Sequence, residues 1–142
     1  MANYHELIAG KVYIGGEAAL LDALREREIT DVFDLRDTGT EAEGFPAHVT
    51  RHHYPIVEDE GGQEGYIHAA ILAVKDAVTN NKTVYFHCAG GRNRTGTVAS
   101  GLLIELGLAP NVDEAMRLAK DRRPDINIKP EMVQVLHGFY GA

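Results

Sequence analysis

Short apolar runs alternate with longer stretches of helical period, and this alternation restricts the possible folds more than any other feature of the chain. Lys11-Val12-Tyr13-Ile14 reads as a strand closed by Gly15-Gly16. Glu17 to Arg27 reads as a helix that buries Ala18, Leu20, Leu21 and Leu24, acidic at its start and basic at its end as the helix dipole prefers. Thr30 to Leu35 and His52 to Val57 read as two more strands, the second broken by Glu58-Asp59-Glu60-Gly61-Gly62. Glu64 to Val78 is a predicted helix carrying Tyr66, Ile67, Ile71, Val74 and Val78, ended by Asn80-Asn81. The β-branched and aromatic run Thr83-Val84-Tyr85-Phe86 reads as a buried strand. Thr95 to Leu106 is a strongly apolar helix with Val98, Ala99, Leu102, Leu103 and Leu106. Asn111-Val112-Asp113-Glu114 has the form of a helix start with a capping box. Pro130 suits the first position of a last helix through Phe139. The expectation is one α/β domain over residues 1–142, with a central, mostly parallel sheet of four to five strands flanked by helices. In such sheets ligands bind beyond the carboxyl ends of the strands. Asp34 to Asp37, Glu58 to Glu60 and the segment at Cys88 all follow strands and therefore converge on one edge.

Composition narrows the function classes. The apolar fraction of 44% and charged fraction of 25% are those of an ordinary globular protein. A net charge of −7 argues against a general nucleic-acid or anionic-membrane surface. No apolar run is long enough to span a bilayer. The opening Met1-Ala2-Asn3-Tyr4-His5-Glu6 lacks the basic and apolar regions of a signal peptide, which points to the cytoplasm. The single cysteine excludes an internal disulfide and is a poor start for a zinc site. It is a candidate nucleophile, with a buried small hydrophobe as the plain alternative.

That cysteine lies in His87-Cys88-Ala89-Gly90-Gly91-Arg92-Asn93-Arg94-Thr95-Gly96. Gly90 and Gly91 allow a tight turn that exposes backbone N–H groups. The helix that follows has unpartnered N–H groups and a positive dipole at its start. A loop curled onto such a helix end is an anion cradle, and phosphate or sulfate suits it. Arg94 adds a planar fork of donors for two phosphate oxygens. The same field favours the thiolate of Cys88, the nucleophilic form.

The sequence His-Cys-x5-Arg-Thr-Gly resembles the active-site loop of the cysteine-based protein tyrosine phosphatases, and the short chain resembles their compact, dual-specificity-like branch. Val12 to Gly16, Asp34-Leu35-Arg36, Tyr54-Pro55-Ile56, and Arg123-Pro124 followed by Gln134 are similar to other parts of that branch. The resemblance implies phosphomonoester hydrolysis through a phosphocysteine at Cys88, without metal or organic cofactor. Arg94 and the backbone of Ala89, Gly90, Gly91, Arg92 and Asn93 would bind phosphate. Thr95 would assist the thiolate as it leaves, and His87 would order the loop from behind. The general acid in such enzymes is usually an Asp on the loop matched here by Glu58-Asp59-Glu60. Residue type selects Asp59, the register from Pro55 points to Glu58, and Asp37 stands third on a neighbouring loop.

Several residues have plain readings. Adjacent strand residues face opposite ways, so His52-His53 is a poor chelating pair. Arg36 is expected to pair with an acid such as Glu41, and Gln134 to lie on a helix surface. Arg92 has two readings: a solvent-facing cation, or a contact for a second phosphate. Four functions follow: a protein tyrosine or dual-specificity phosphatase acting on a phosphorylated protein or small phosphorylated molecule; a phosphoinositide or inositol polyphosphate phosphatase; a rhodanese-like sulfurtransferase; and a non-catalytic phosphate-binding module.

Overall fold

The computed structural model describes residues 3–141. Met1, Ala2 and Ala142 lie outside the described residues, so the reading of the extreme N-terminus rests on sequence alone. The chain forms β1 (Tyr4–Ile8), β2 (Val12–Gly16), a 3-10 turn (Glu17–Ala19), α1 (Leu20–Glu26), β3 (Asp31–Asp34), β4 (Thr50–His53), α2 (Glu64–Thr79), β5 (Val84–Cys88), α3 (Arg94–Glu105), α4 (Val112–Arg122) and α5 (Pro130–Tyr140). One five-stranded sheet results, in the order β1-β2-β5-β3-β4. Every neighbouring pair is parallel except β1–β2. The expected α/β architecture is therefore present.

β5 occupies the middle of the sheet, and all five of its residues are buried. Alternation along a strand sends its side chains to opposite faces. Val84, Phe86 and Cys88 join the large core made with α2, α3, α4 and α5, where Ile67, Ile71, Val98, Leu102, Ala115 and Leu136 pack. Tyr85 faces the smaller core on the other side, with Tyr13, Leu20, Ala23, Ile29, Val32 and Val49. The strand register levels the functional ends of three strands: Gly16 and Cys88 are partners, as are Asp34 and His87.

Five details differ from the sequence reading. β1 is an additional strand, antiparallel and interrupted by a bulge between Glu6 and Ile8. Its residues are mostly half exposed, so it lacks the apolar signature of the inner strands. The helix expected from Glu17 starts instead as a 3-10 turn, which changes the phase: Ala19, Leu20 and Ala23 are buried while Ala18 is exposed. The third parallel strand ends at His53 rather than running from His52 to Val57. Pro55 has no N–H to donate, and the chain continues as an extended segment tied by Tyr54 N–H to Asp34 O (2.9 Å) and Ile56 N–H to Leu35 O (3.1 Å). Tyr66 is 56% exposed, because the buried stripe of α2 runs through Ile67, Ala70, Ile71, Val74 and Val78. At Asn111 the side-chain oxygen accepts from Glu114 N–H (2.9 Å), but the Glu114 side chain turns to Arg117, leaving half a capping box.

Candidate active site

The segment 89–93 joins the end of β5 to the start of α3, beyond the carboxyl edge of the parallel strands. Gly91 has φ +70°, and a Cβ there would stand 2.6 Å from Gly15 O and Gly16 N. Only glycine satisfies both the left-handed backbone and this close approach to β2. The loop carbonyls are held from outside: Ala89 O accepts from Glu17 N–H (3.0 Å) and Arg92 O from Asn127 N–H (3.2 Å). Among the described residues, no backbone N–H from 89 to 93 donates to a protein acceptor. These donors are available to an anion.

Cys88 is 3% exposed at the base of this loop. Thr95, in the first turn of α3, donates its Oγ1–H to Cys88 Sγ (3.0 Å). His87 lies on the opposite face of β5, and its Nδ1–H donates to Cys88 O (3.0 Å). Burial pushes its imidazole below the ordinary histidine value, so the ring is neutral near pH 7. Arg94 donates from one terminal nitrogen to Ile56 O (3.2 Å). Its guanidinium also lies 3.6 Å from Asp37 Oδ1 and 3.5 Å from Glu58 Oε1. Its Nε is buried with no hydrogen-bond acceptor. A buried donor left unpaired is costly and uncommon in a native structure. The remaining donor of the fork thus agrees with the free loop amides in calling for an oxyanion.

The acidic segment separates into residues with different surroundings. Glu58 accepts from Asn93 Nδ2–H (2.7 Å) and faces Arg94, which ties it to the loop. Asp59 turns outward with φ +61°, and its side chain is 70% exposed. Lys129 donates to both its oxygens (3.0 and 3.1 Å). Lys129 holds the Asp59 carboxyl below the usual carboxylate range, which keeps it ionised. The choice by residue type therefore lands on the acid that is salt-bridged away from the loop, and the register from Pro55 on the one that contacts it. Glu60 lines a neighbouring cleft of about 500 Å³ between the start of α2 and α5. Asp37 is brought close to Arg94 from the loop after β3.

Other residues take structural places. Asn93, an expected phosphate ligand, spends its side chain on Glu58 and on accepting from Lys129 N–H (2.8 Å), so only its backbone remains for a ligand. Arg92 is exposed at the loop rim. Arg36 pairs with Asp34 (2.7 Å) and Glu17 (2.8 Å) rather than with Glu41. Arg51 also reaches Asp34 (2.7 Å), so one buried carboxylate holds two guanidiniums. His52 bonds Asp31 (2.7 Å) and stacks on Phe33, while His53 donates to Arg36 O (2.7 Å), and the two rings have separate partners. Gln134 is exposed on α5. Sequence reasoning missed Lys129 and the full burial of Arg123, since nothing local separates either from a surface cation.

A thiol at the end of a central parallel strand, an amide-lined loop and an arginine at the following helix start together define the class of cysteine-based tyrosine phosphatases. The chain belongs to the family "Dual specificity phosphatase, catalytic domain", whose model matches residues 12–141. It is accordingly a phosphatase, a hydrolase of phosphomonoesters. Solved structures share the fold at low identity. A mouse putative dual specificity phosphatase complexed with zinc tungstate is 17% identical, with TM-score 0.85, over 99% of this chain and 87% of that one. Human DUSP28 is 16% identical with TM-score 0.80, covering 97% and 93%. PTPMT1 in complex with PI(5)P is 20% identical with TM-score 0.78, covering 96% and 94%. No curated protein matches the sequence. Among the described residues no helix is long and apolar enough to cross a membrane.

Proposed function

We propose that this chain is a protein tyrosine or dual-specificity phosphatase that works through a phosphocysteine at Cys88. The observation that carries this reading is the buried, acceptor-free Nε of Arg94 beside a loop of undonated amides, with the Cys88 sulfur at its base. The phosphoryl oxygens of the substrate lie on the amides of Ala89, Gly90, Gly91, Arg92 and Asn93 and on the Arg94 fork. Cys88 Sγ attacks phosphorus in line as the P–O bond to the leaving group breaks, and positioned donors stabilise the charge on the equatorial oxygens. The Thr95 hydroxyl stabilises the thiolate when water later cleaves the S–P bond. His87 fixes the Cys88 carbonyl from behind. No metal or organic cofactor takes part in this scheme.

For the proton donor the geometry favours Glu58 over Asp59. Glu58 is held against Asn93 and Arg94 at the loop mouth, with Lys129 no nearer than 3.8 Å, whereas Asp59 takes hydrogen bonds from Lys129 on both oxygens. An arriving phosphoryl group takes the Arg94 guanidinium and leaves Glu58 facing the leaving oxygen. The same carboxylate then accepts a proton from the attacking water. A lone thiol suits a reducing compartment, which agrees with a cytoplasmic protein.

The deciding experiment is a panel of an aryl phosphate and phosphopeptides with wild type and Cys88→Ser, joined to rapid-quench mass spectrometry. Wild type is expected to turn over and to carry a transient phosphoryl group on Cys88. Undiminished turnover by Cys88→Ser would sink the mechanism, and phosphate binding without turnover by wild type would leave a binding module. One observation favours a second reading, phosphoinositide or inositol polyphosphate hydrolysis: Arg92 is an exposed cation on the loop itself. Arg92→Ala should then lower activity on polyphosphorylated substrates more than on monophosphorylated ones; an equal change removes it. The family match gives no support to sulfur transfer.

A further inference from the structure

Arg123 follows α4 and has no exposed surface, although it carries a charge. Its nearest carboxylate, Asp125, is 3.8 Å away. A buried guanidinium is costly to desolvate unless its donors are well used. Here every nitrogen is used. Nε donates to Gly91 O (2.8 Å) and one terminal nitrogen to Gly90 O (3.2 Å). The other terminal nitrogen meets Asn3 O and Asn3 Oδ1 (both 3.1 Å) and His5 Nδ1 (3.0 Å). The fork thus spans two consecutive carbonyls of the catalytic loop on one side and Asn3 with the start of the edge strand β1 on the other.

The geometry points to Arg123 as a positioning residue that aims the phosphate-binding amides. In a trans peptide the C=O of one residue and the N–H of the next point in opposite directions. Fixing Gly90 O and Gly91 O toward Arg123 turns the N–H groups of Gly91 and Arg92 to the opposite side. Glu17 does the same for Gly90 by holding Ala89 O. Glycines have little intrinsic preference for one peptide orientation, so an outside clamp is needed where two occur together. The clamp also places a permanent cation behind the loop. β1 completes it, because His5 accepts through Nδ1 and must be unprotonated there. Burial and the neighbouring Arg123 both lower its proton affinity, against the opposing pull of Asp125. This inference rests on the proposal that the loop binds phosphate.

The test measures binding of inorganic phosphate and of tungstate, turnover of an aryl phosphate, and the ¹⁵N–¹H signals of Gly91 and Arg92. Arg123→Lys keeps the charge but loses the planar fork that reaches the loop carbonyls and the Asn3 and His5 acceptors together. Loss of one oxyanion donor costs about 10²–10³ in kcat, and a loss near the lower figure is expected, with weaker phosphate binding. The Gly91 and Arg92 signals should also lose their response to phosphate. If Arg123→Lys does not fold, the double variant Asn3→Ala, His5→Ala decides, since it removes two of the three outer acceptors and leaves the backbone carbonyl of residue 3 and both loop carbonyls in place. That variant is expected to bind phosphate more weakly at unchanged Tm. A folded Arg123→Lys with wild-type binding, turnover and amide response would overturn the inference, as would unchanged phosphate binding in the double variant. Failure of the wild type to bind phosphate would take down the functional proposal and this inference together.

Discussion

The acidic residues beside the loop show how two adjacent carboxylates acquire different roles. Glu58 and Asp59 are neighbours in sequence, yet one bonds Asn93 and the other Lys129. Asp59 has a left-handed backbone and a side chain that is 70% exposed. General acid catalysis is commonly worth about 10²–10⁴ in rate. Glu58→Gln is therefore expected to lower kcat within that range on alkyl-like phosphates such as phosphoserine. The loss should shrink on an aryl phosphate with a good leaving group, which needs less protonation. Asp59→Asn should change kcat by only a few fold. The reverse ranking, read from steady-state kinetics with both substrate types, would move the role to Asp59.

Among the elements, the β5–loop–α3 unit depends on a glycine that two separate constraints demand. Gly91 is left-handed and lies against Gly15 and Gly16 of β2. A left-handed conformation costs a non-glycine residue roughly 1–2 kcal/mol, and a methyl group would also press the loop away from β2. Gly91→Ala should therefore lower kcat/KM far more than it lowers Tm, because displaced amides no longer fit the phosphoryl oxygens. Comparable fractional losses in both would mean that the substitution acts only on stability. The run Val84 to Phe86 is legible in sequence because β5 is buried on both faces. β1 is not, because its partly exposed residues lack that continuous apolar signal.

For the molecule as a whole, two buried groups set an acid limit. His87 titrates below its ordinary value because it is buried. Asp34 is buried too, which alone would raise it, but hydrogen bonds from Arg36 and Arg51 hold it well below the carboxylate range. In both cases the unfolded chain binds protons more readily than the folded one, so stability falls as pH falls. The His87 contribution should fade below about pH 6.5 and the Asp34 contribution below about pH 4. Urea unfolding between neutral pH and pH 3 should show two successive losses. Asp34→Asn, which leaves two guanidiniums without their carboxylate, should cost about 3–5 kcal/mol at pH 7 and remove the more acidic loss. A pH-independent midpoint in wild type would contradict this assignment.

The sequence by itself determined the parallel α/β framework and the Cys88–Arg94 loop, because both are written in local signals. Continuous apolar runs mark inner strands, and glycines before an apolar helix mark an anion cradle. The roles of isolated charges were a different matter. Arg123 and Arg122 are adjacent and chemically alike, yet one is fully buried behind the loop and the other is exposed. Glu58, Asp59 and Lys129 likewise take their partners from distant segments. A charged side chain is defined by what desolvates it and what pairs with it. Those neighbours come together only when the sheet and its helices close, so the tertiary structure alone decided them.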